Sequence, residues 1–309
     1  MDGSKLQSLV EAHGRQEARK MAQGRRGARV VDAAADWMEL EEHRTSFIYS
    51  GWCQTALPHR RRPDDEVWRV VADRLSLLVE PGAGADGRRV GVPFGPTARL
   101  ILIYLQSEAL RCRSREVELG GSLRAFLRRV GVPYGGRGAA VVRDQAARIG
   151  RCRMSFHWSE VRNGSTPGRA LFAQTNIVDF GMLVPSEDDR QGALFLDKAV
   201  LSEPFWRALE KHAVPLDEGA VATIHTSSMA LDAYCWLAYR LHHLEVPTPV
   251  SWVALREQFG AGFARLPTFR DTFREAMALA CSVYPAAQVD ETPQGLLLKP
   301  SRPPVARRA

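Results

Sequence analysis

Lysine is nearly missing from this 309-residue chain: Lys5, Lys20, Lys198, Lys211 and Lys299 stand against 37 arginines. Cysteine is scarce too. Cys53, Cys112, Cys152, Cys235 and Cys281 are odd in number, scattered, and never spaced as CxxC. That pattern argues against a zinc ribbon, a CxxC redox pair or a disulfide framework, and suits a reducing compartment. No run of 18 apolar residues occurs, and the opening MDGSKLQSLVEAHGRQEARK holds no continuous apolar segment. The sequence therefore predicts a cytoplasmic protein without a membrane span or membrane partner. A GxxxxGK[ST] loop is lacking as well, which argues against P-loop hydrolysis of ATP. Gly135-Gly136-Arg137-Gly138 follows a helical pattern, not a strand, and reads as a turn. His242-His243 lacks the spacer of a His-x-His metal pair, and the carboxylates form no cluster suited to two-metal chemistry. The expectation is a non-enzyme with no catalytic residue, no metal and no cofactor.

What is present is positive charge, unevenly placed. The chain carries +7 with a pI near 9.4. Between Arg99 and Arg169 there are fourteen arginines against five acids (Glu108, Glu116, Glu118, Asp144, Glu160), leaving the remainder slightly acidic. A GC-rich coding sequence accounts for much of the arginine bias. Local clustering is what a polyanion footprint requires.

One order of elements occurs twice, at about 97–180 and 225–299. In the first, Pro96 opens a helix with the stripe Leu100, Ile101, Tyr104, Leu105 and Ala109. Residues 115–119 alternate as a half-exposed strand, and Ser122 caps a short helix with Leu123, Phe126 and Leu127 inward. A Gly-Pro turn leads to a helix over 138–150, then a hairpin of 152–158 and 171–180 around the tip 162–169, with a further strand at 194–200. In the second, a helix over 227–244 is stopped by Pro247-Thr248-Pro249. Ser251 caps a short helix, a third helix covers 266–284, and a hairpin closes at 288–299. This is the order of a winged helix, a helix-turn-helix backed by a β-hairpin. The fold class predicted is α+β, mainly helical, with two tandem winged-helix domains. Boundaries fall at 1–60 (flexible N-terminal arm, with a helix near 30–44), 61–200, 201–300 and 301–309 (disordered tail). Asp64-Asp65-Glu66 is read as opening a helix that carries Val67, Val70 and Val71.

The candidate contacts follow from helical geometry. On 138–150, Val142, Ala146 and Ile149 form the inward stripe, which puts Arg137, Asp144, Arg148 and Arg151 opposite, with Arg143 and Gln145 on the flanks. Arginine and glutamine pair bidentately with guanine and adenine edges, so this face is the expected base reader on duplex DNA. Arg162 and Arg169 bracket the expected wing tip as phosphate contacts; Arg124, Arg128 and Arg129 are further backbone candidates. In the second copy, Phe269, Phe273 and Met277 face inward, leaving Arg265, Arg270 and Arg274 for DNA or for pairing with Asp271 and Glu275. Trp206, Trp236, Tyr239 and Trp252 are read as core.

Six blocks resemble the plasmid-encoded RepA replication initiator family: GVPFGPTARLILIYLQSEALR (91–111), SREVELGGSLRAFLRRVGV (114–132), RDQAARI (143–149), LDAYCWLAYRLHHL (231–244), VSWVALREQFG (250–260) and YPAAQVDETPQGLLLKPSRPPV (284–305). The resemblance spans about residues 50–305. It implies binding to repeated sites in a plasmid origin, opening of adjacent AT-rich duplex, and recruitment of the host initiator and replicative helicase. It also implies repression of the family member's own promoter, often as a homodimer. Two other readings fit the pattern alone: a winged-helix transcriptional repressor without a replication role, and a protein–protein adaptor.

Overall fold

The computed structural model describes residues 3–22, 24–72, 75–84, 86–133, 135–159, 170–175, 177–185 and 194–305. The chain begins with α1 (Gly3–Met21), α2 (Gly24–Met38), β1 (Thr45–Tyr49) and α3 (Ser50–Gln54). Strands β2 (Trp68–Ala72), β3 (Leu75–Glu80), β4 (Gly82–Ala83) and β5 (Arg89–Val90) precede α4 (Gly95–Cys112). Then come β6 (Glu116–Glu118), α5 (Gly120–Arg129) and α6 (Arg137–Arg151). Four strands follow, β7 (Arg153–Ser159), β8 (Ala170–Thr175), β9 (Val178–Pro185) and β10 (Leu194–Leu201), then α7 (Glu203–His212) and β11 (Ala213–Asp217). The chain ends with α8 (Glu218–Ile224), α9 (Ser228–Arg240), β12 (Thr248–Ser251), α10 (Trp252–Phe259), α11 (Leu266–Ser282), β13 (Val289–Thr292) and β14 (Gly295–Leu298). Helix and antiparallel sheet are mixed throughout, as the α+β expectation requires. No helix among the described residues is long and apolar enough to cross a membrane.

The chain divides into two compact units, one of residues 1–46 with 214–309 and one of residues 47–213. This differs from the boundaries read from sequence. The segment 1–60 is not a loose arm: α1 and α2 pack together through Val10, Ala18, Val31, Ala34 and Ala35, and both contact α11. Their core is mostly alanine, which gives little apolar periodicity to read. At the other end, residues 301 and 302 are tied down. The Ser301 amide donates to the Leu241 carbonyl at 3.2 Å, and Tyr284 Oη donates to the Arg302 carbonyl at 2.6 Å. Residues 306–309 of the expected tail lie outside the described residues.

In the 47–213 unit, α4 is buried on every side from Ala98 to Ser107. Burial obliges its polar side chains to find partners. Gln106 accepts from the Tyr49 amide at 2.6 Å, Ser107 accepts from the Phe47 amide at 2.7 Å, and Arg99 donates to the carbonyls of Leu57 and Gly95 at 2.8 and 2.9 Å. A four-stranded antiparallel sheet, in the order β2-β3-β7-β8, buries Leu75, Leu77, Val79, Met154 and Phe156. Trp52 and Tyr49 meet Phe156 edge-on at 4.9 and 5.4 Å. The helix expected after Asp64-Asp65-Glu66 is instead β2, paired Trp68 to Val79 and Val70 to Leu77. Its alternation buries Trp68 and Val70 while Val71 is 43% exposed, the period of a strand.

The hairpin expected behind α6 forms as β7 paired with β8, but it joins the sheet of β2 and β3 and not that of β6. β7 joins β3 and β8, whereas β6 pairs with β10 in a three-stranded sheet of order β6-β10-β9. The strand expected over 171–180 is two strands, β8 and β9, in different sheets. The expected tip 162–169 lies outside the described residues.

In the other unit, α9 is buried on every side from Met229 to Ala238 and is capped by Ser227, close to where the expected helix over 227–244 begins. Ser251 caps α10, its Oγ accepting from the Ala254 amide at 3.1 Å. Strands β12, β14 and β13 form a three-stranded antiparallel sheet in that order. Gly295 opens β14 where a Cβ would stand 1.9 Å from the Val250 carbonyl oxygen. We expect Gly295→Ala to destabilise this unit by about 1–3 kcal/mol, the cost of overpacking against rigid backbone. Chemical denaturation should show it, and an unchanged midpoint would contradict the pairing.

Candidate nucleic-acid interface

The first candidate surface is the α5–turn–α6 segment. A Cβ on Gly138 would stand 2.2 Å from the Pro133 carbonyl oxygen, so only glycine lets α6 start against this turn. The turn and α5 enclose a shallow cavity of about 350 Å³ lined by Arg124, Arg128, Gly131, Val132 and Pro133. Arg128 and Arg129 are exposed at the end of α5, and Arg137 is exposed at the start of α6. This places three exposed arginines on the two sides of one turn.

Helix α6 has a second buried face that periodicity missed. Ala139, Val142 and Ile149 form the apolar one; Gln145 and Arg148 form the other, 1% and 4% exposed. Gln145 Oε1 accepts from the Phe94 amide at 2.8 Å, and its Nε2 donates to Asp144 at 2.8 Å. Arg148 Nε donates to both Asp144 oxygens at 3.0 and 2.9 Å, and Nη1 donates to Asp64 at 3.2 Å. Its guanidinium also lies 5.3 Å from the Phe94 ring centroid, within cation–π range. Gly91 is obligatory here, since a Cβ would meet Asp64 at 2.4 Å and Arg148 at 2.6 Å. Gln145 and Arg148 are therefore corrected from base readers to clamps that hold α6 on residues 64 and 91–94. Arg143 is half-buried, Arg151 is exposed, and Arg162 and Arg169 lie outside the described residues. The Asp64–Arg148 pairing was hidden because its partners are 84 residues apart.

The clamp also shapes titration. Burial pushes Asp64 up, but hydrogen bonds and charge from Arg61 and Arg148 outweigh it and hold the carboxyl below its ordinary value. For Arg148, burial lowers the guanidinium, and Asp144 and Asp64 more than restore it.

The second candidate surface is α11. Arg265 is exposed at its N-cap. Arg270 and Arg274 are not aimed outward as expected. They lie 5.2 and 5.4 Å from the ring centroid of Trp252, itself 3% exposed. Arg274 Nε donates to Glu291 at 2.6 Å and Nη1 to Asp271 at 3.2 Å, so it braces α11 on β13. The exposed polar side chains in the first turns of α11 are Thr268, Asp271 and Thr272. Trp236 and Trp252 are core as predicted, while Trp206 and Tyr239 are half-buried. Among the described residues, no group of three or more His, Cys, Asp or Glu is placed to hold a metal.

We expect Arg148→Ala to cost about 2–3 kcal/mol by removing a buried, hydrogen-bonded guanidinium and loosening α6. Arg137→Ala should stay within about 0.5 kcal/mol. Thermal unfolding of both variants tests this; equal midpoints would refute the clamp. Because Asp64 is held low when folded, its contribution to stability is present above the ordinary carboxylate range and lost as pH falls through the folded value. The gap between wild type and Arg148→Ala should narrow in acid.

Among curated proteins, none matches the chain. Two crystal structures of domains 2 and 3 of RctB do. A selenomethionine form is 14% identical over 73% of this chain and 82% of that one, with a TM-score of 0.49. A form spanning RctB residues 155–483 is 11% identical over 79% of this chain and 93% of that one, with a TM-score of 0.41. The family model described as plasmid encoded RepA protein matches residues 92–257, more than half of the sequence. That span runs from the Gly91–Phe94 clamp through α4, the α5–α6 turn and α9 into α10, and on it the chain belongs to the plasmid-encoded RepA family.

Proposed function

We propose that this chain is a replication initiator that binds duplex DNA sequence-specifically through two winged helices and acts without catalysis of its own. The observation that carries the reading is a repeated topology. In one unit α4, β6, α5 and α6 lead to a sheet of order β6-β10-β9. In the other α9, β12, α10 and α11 lead to a sheet of order β12-β14-β13. In both, the first strand pairs with the last and the middle strand lies outside, the arrangement of a helix-turn-helix backed by a wing. In the first copy the β7–β8 hairpin is inserted between the third helix and the wing.

Membership of the RepA family supports repeated origin sites as the target, with the host initiator and replicative helicase as partners and a homodimer as a further form. Arg128, Arg129, Arg137 and Arg151, exposed around α5 and α6, are the phosphate-seeking groups of the first copy. Arg265 holds that place in the second. Phosphate contacts release counterions, so affinity for duplex should fall steeply between low and moderate salt. Replacing Arg128, Arg129 and Arg137 together with Gln should weaken specific and random duplex alike and flatten the salt dependence by about 2–3 in slope. Supplying this gene to a plasmid that lacks its own initiator should restore replication. A flat salt dependence would dismiss the DNA reading; tight binding without rescue would favour a repressor.

A further inference from the structure

The strongest positive patch outside the α5–α6 segment is the turn joining α1 to α2. Between Arg19 and Arg29 there are five cations (Arg19, Lys20, Arg25, Arg26, Arg29) and no carboxylate, and all five are exposed. This turn is not carried on a loose tail. Arg26 Nε and Arg29 Nη1 lie 3.3 and 3.2 Å from the Glu275 carboxylate on α11, and Arg29 Nη2 donates to Thr226 at 3.4 Å. The two helices are braced to each other by Arg15, which reaches Asp32 at 3.0 Å and Asp36 at 2.7 Å. Past the end of α2, the buried Asp217 carboxylate accepts from Trp37 Nε1 at 2.8 Å and faces His43 Nδ1 at 2.9 Å.

Glu275 stands one helical turn from Asp271 and about one from Thr272, so the basic turn flanks the exposed face of α11. That face needs help. Beyond Arg265 at the N-cap, its exposed polar side chains, Thr268, Asp271 and Thr272, offer hydrogen bonds but no positive charge. Arg270 and Arg274 are drawn over Trp252. Resting on the reading of α11 as a DNA-facing helix, we propose that the α1–α2 turn is a phosphate clamp for duplex DNA, docked on α11 through Glu275 to supply the charge the helix lacks. Arg26 and Arg29 share Glu275, Arg19 lies 3.5 Å from Asp32 and Lys20 lies 3.0 Å from Glu17, so five cations meet three carboxylates and the patch keeps a positive excess while docked. A membrane surface suits it poorly: the apolar side chains Val10, Val31 and Ala34 are consumed in the helices' own core, with Met21 the large apolar group left exposed beside the patch.

The test uses the full chain and two triple variants. Arg19→Gln/Lys20→Gln/Arg25→Gln removes clamp charges that do not touch Glu275. Arg88→Gln/Arg207→Gln/Lys211→Gln removes the same charge elsewhere on the surface. Affinity for duplex DNA would be followed by fluorescence anisotropy from low to moderate salt, with thermal unfolding as the check on folding. The first variant should flatten the log–log salt dependence by about 2–3 at an unchanged midpoint, and the second should leave it near wild type. Equal slopes in wild type and the first variant, or equal flattening in both variants, would overturn the clamp while leaving the DNA reading intact. Failure of the wild-type chain to bind duplex at low salt would overturn both. Clamp-dependent binding to phosphatidylglycerol vesicles, with duplex binding unchanged, would reassign the patch to membranes.

Discussion

Complete burial of two helices is the constraint on which the rest depends. α4 and α9 each hold a long stretch, Ala98 to Ser107 and Met229 to Ala238, with no exposed side chain, so each must be surrounded by its own unit. Every polar group they carry then needs an internal partner, because an unmet one costs about 1–3 kcal/mol. Arg99 meets this by collecting the carbonyls of Leu57, Pro58 and Gly95, which pins the chain ahead of α4. Tyr234 does so by accepting from the Asp217 amide at 2.9 Å, which fixes the start of α8. The polar residues of the buried helices thus specify where neighbouring segments lie.

The same burial explains what was legible. Two of the blocks that resemble the RepA family, 91–111 and 231–244, are largely these helices, and their apolar content on all sides marks them in any reading. Caps were legible in part. Ser251 accepts from an amide at the start of α10 as expected, and Ser202 and Ser227 do the same for α7 and α9. Ser122, however, lies inside α5, which begins at Gly120 without a side-chain cap. What could not be read was pairing over distance. Alternation announces a strand at 153–159 but says nothing of whether its neighbour is β3 or β6, and β3 won. The second buried face of α6 was hidden for a related reason. Gln145 and Arg148 look like surface residues until Asp64 and Phe94 arrive from far upstream.

Charge tells a similar story. The arginine-rich segment was legible in the sequence, yet part of that charge is used inside the protein. Arg99 and Arg148 are buried, Arg115 reaches Glu203 at 3.3 Å, and Arg153 reaches Glu80 at 3.9 Å. Exposed arginines at the α5–α6 turn remain, and the α1–α2 turn adds cations from a region the family match does not cover. Basic composition located where arginines gather but not which of them stay exposed.

The insertion of β7–β8 has a consequence for how this protein can be cut and how it folds. β3 pairs with β7 and β6 pairs with β10, each across a long stretch of intervening chain. Such ladders form only after a long loop has closed, which raises contact order and slows folding. The family match itself, 92–257, begins after β2 and β3 and ends inside α10. It would leave one edge of β7 bare and lack α11 altogether. Kinship in sequence and autonomy in folding therefore have different borders here.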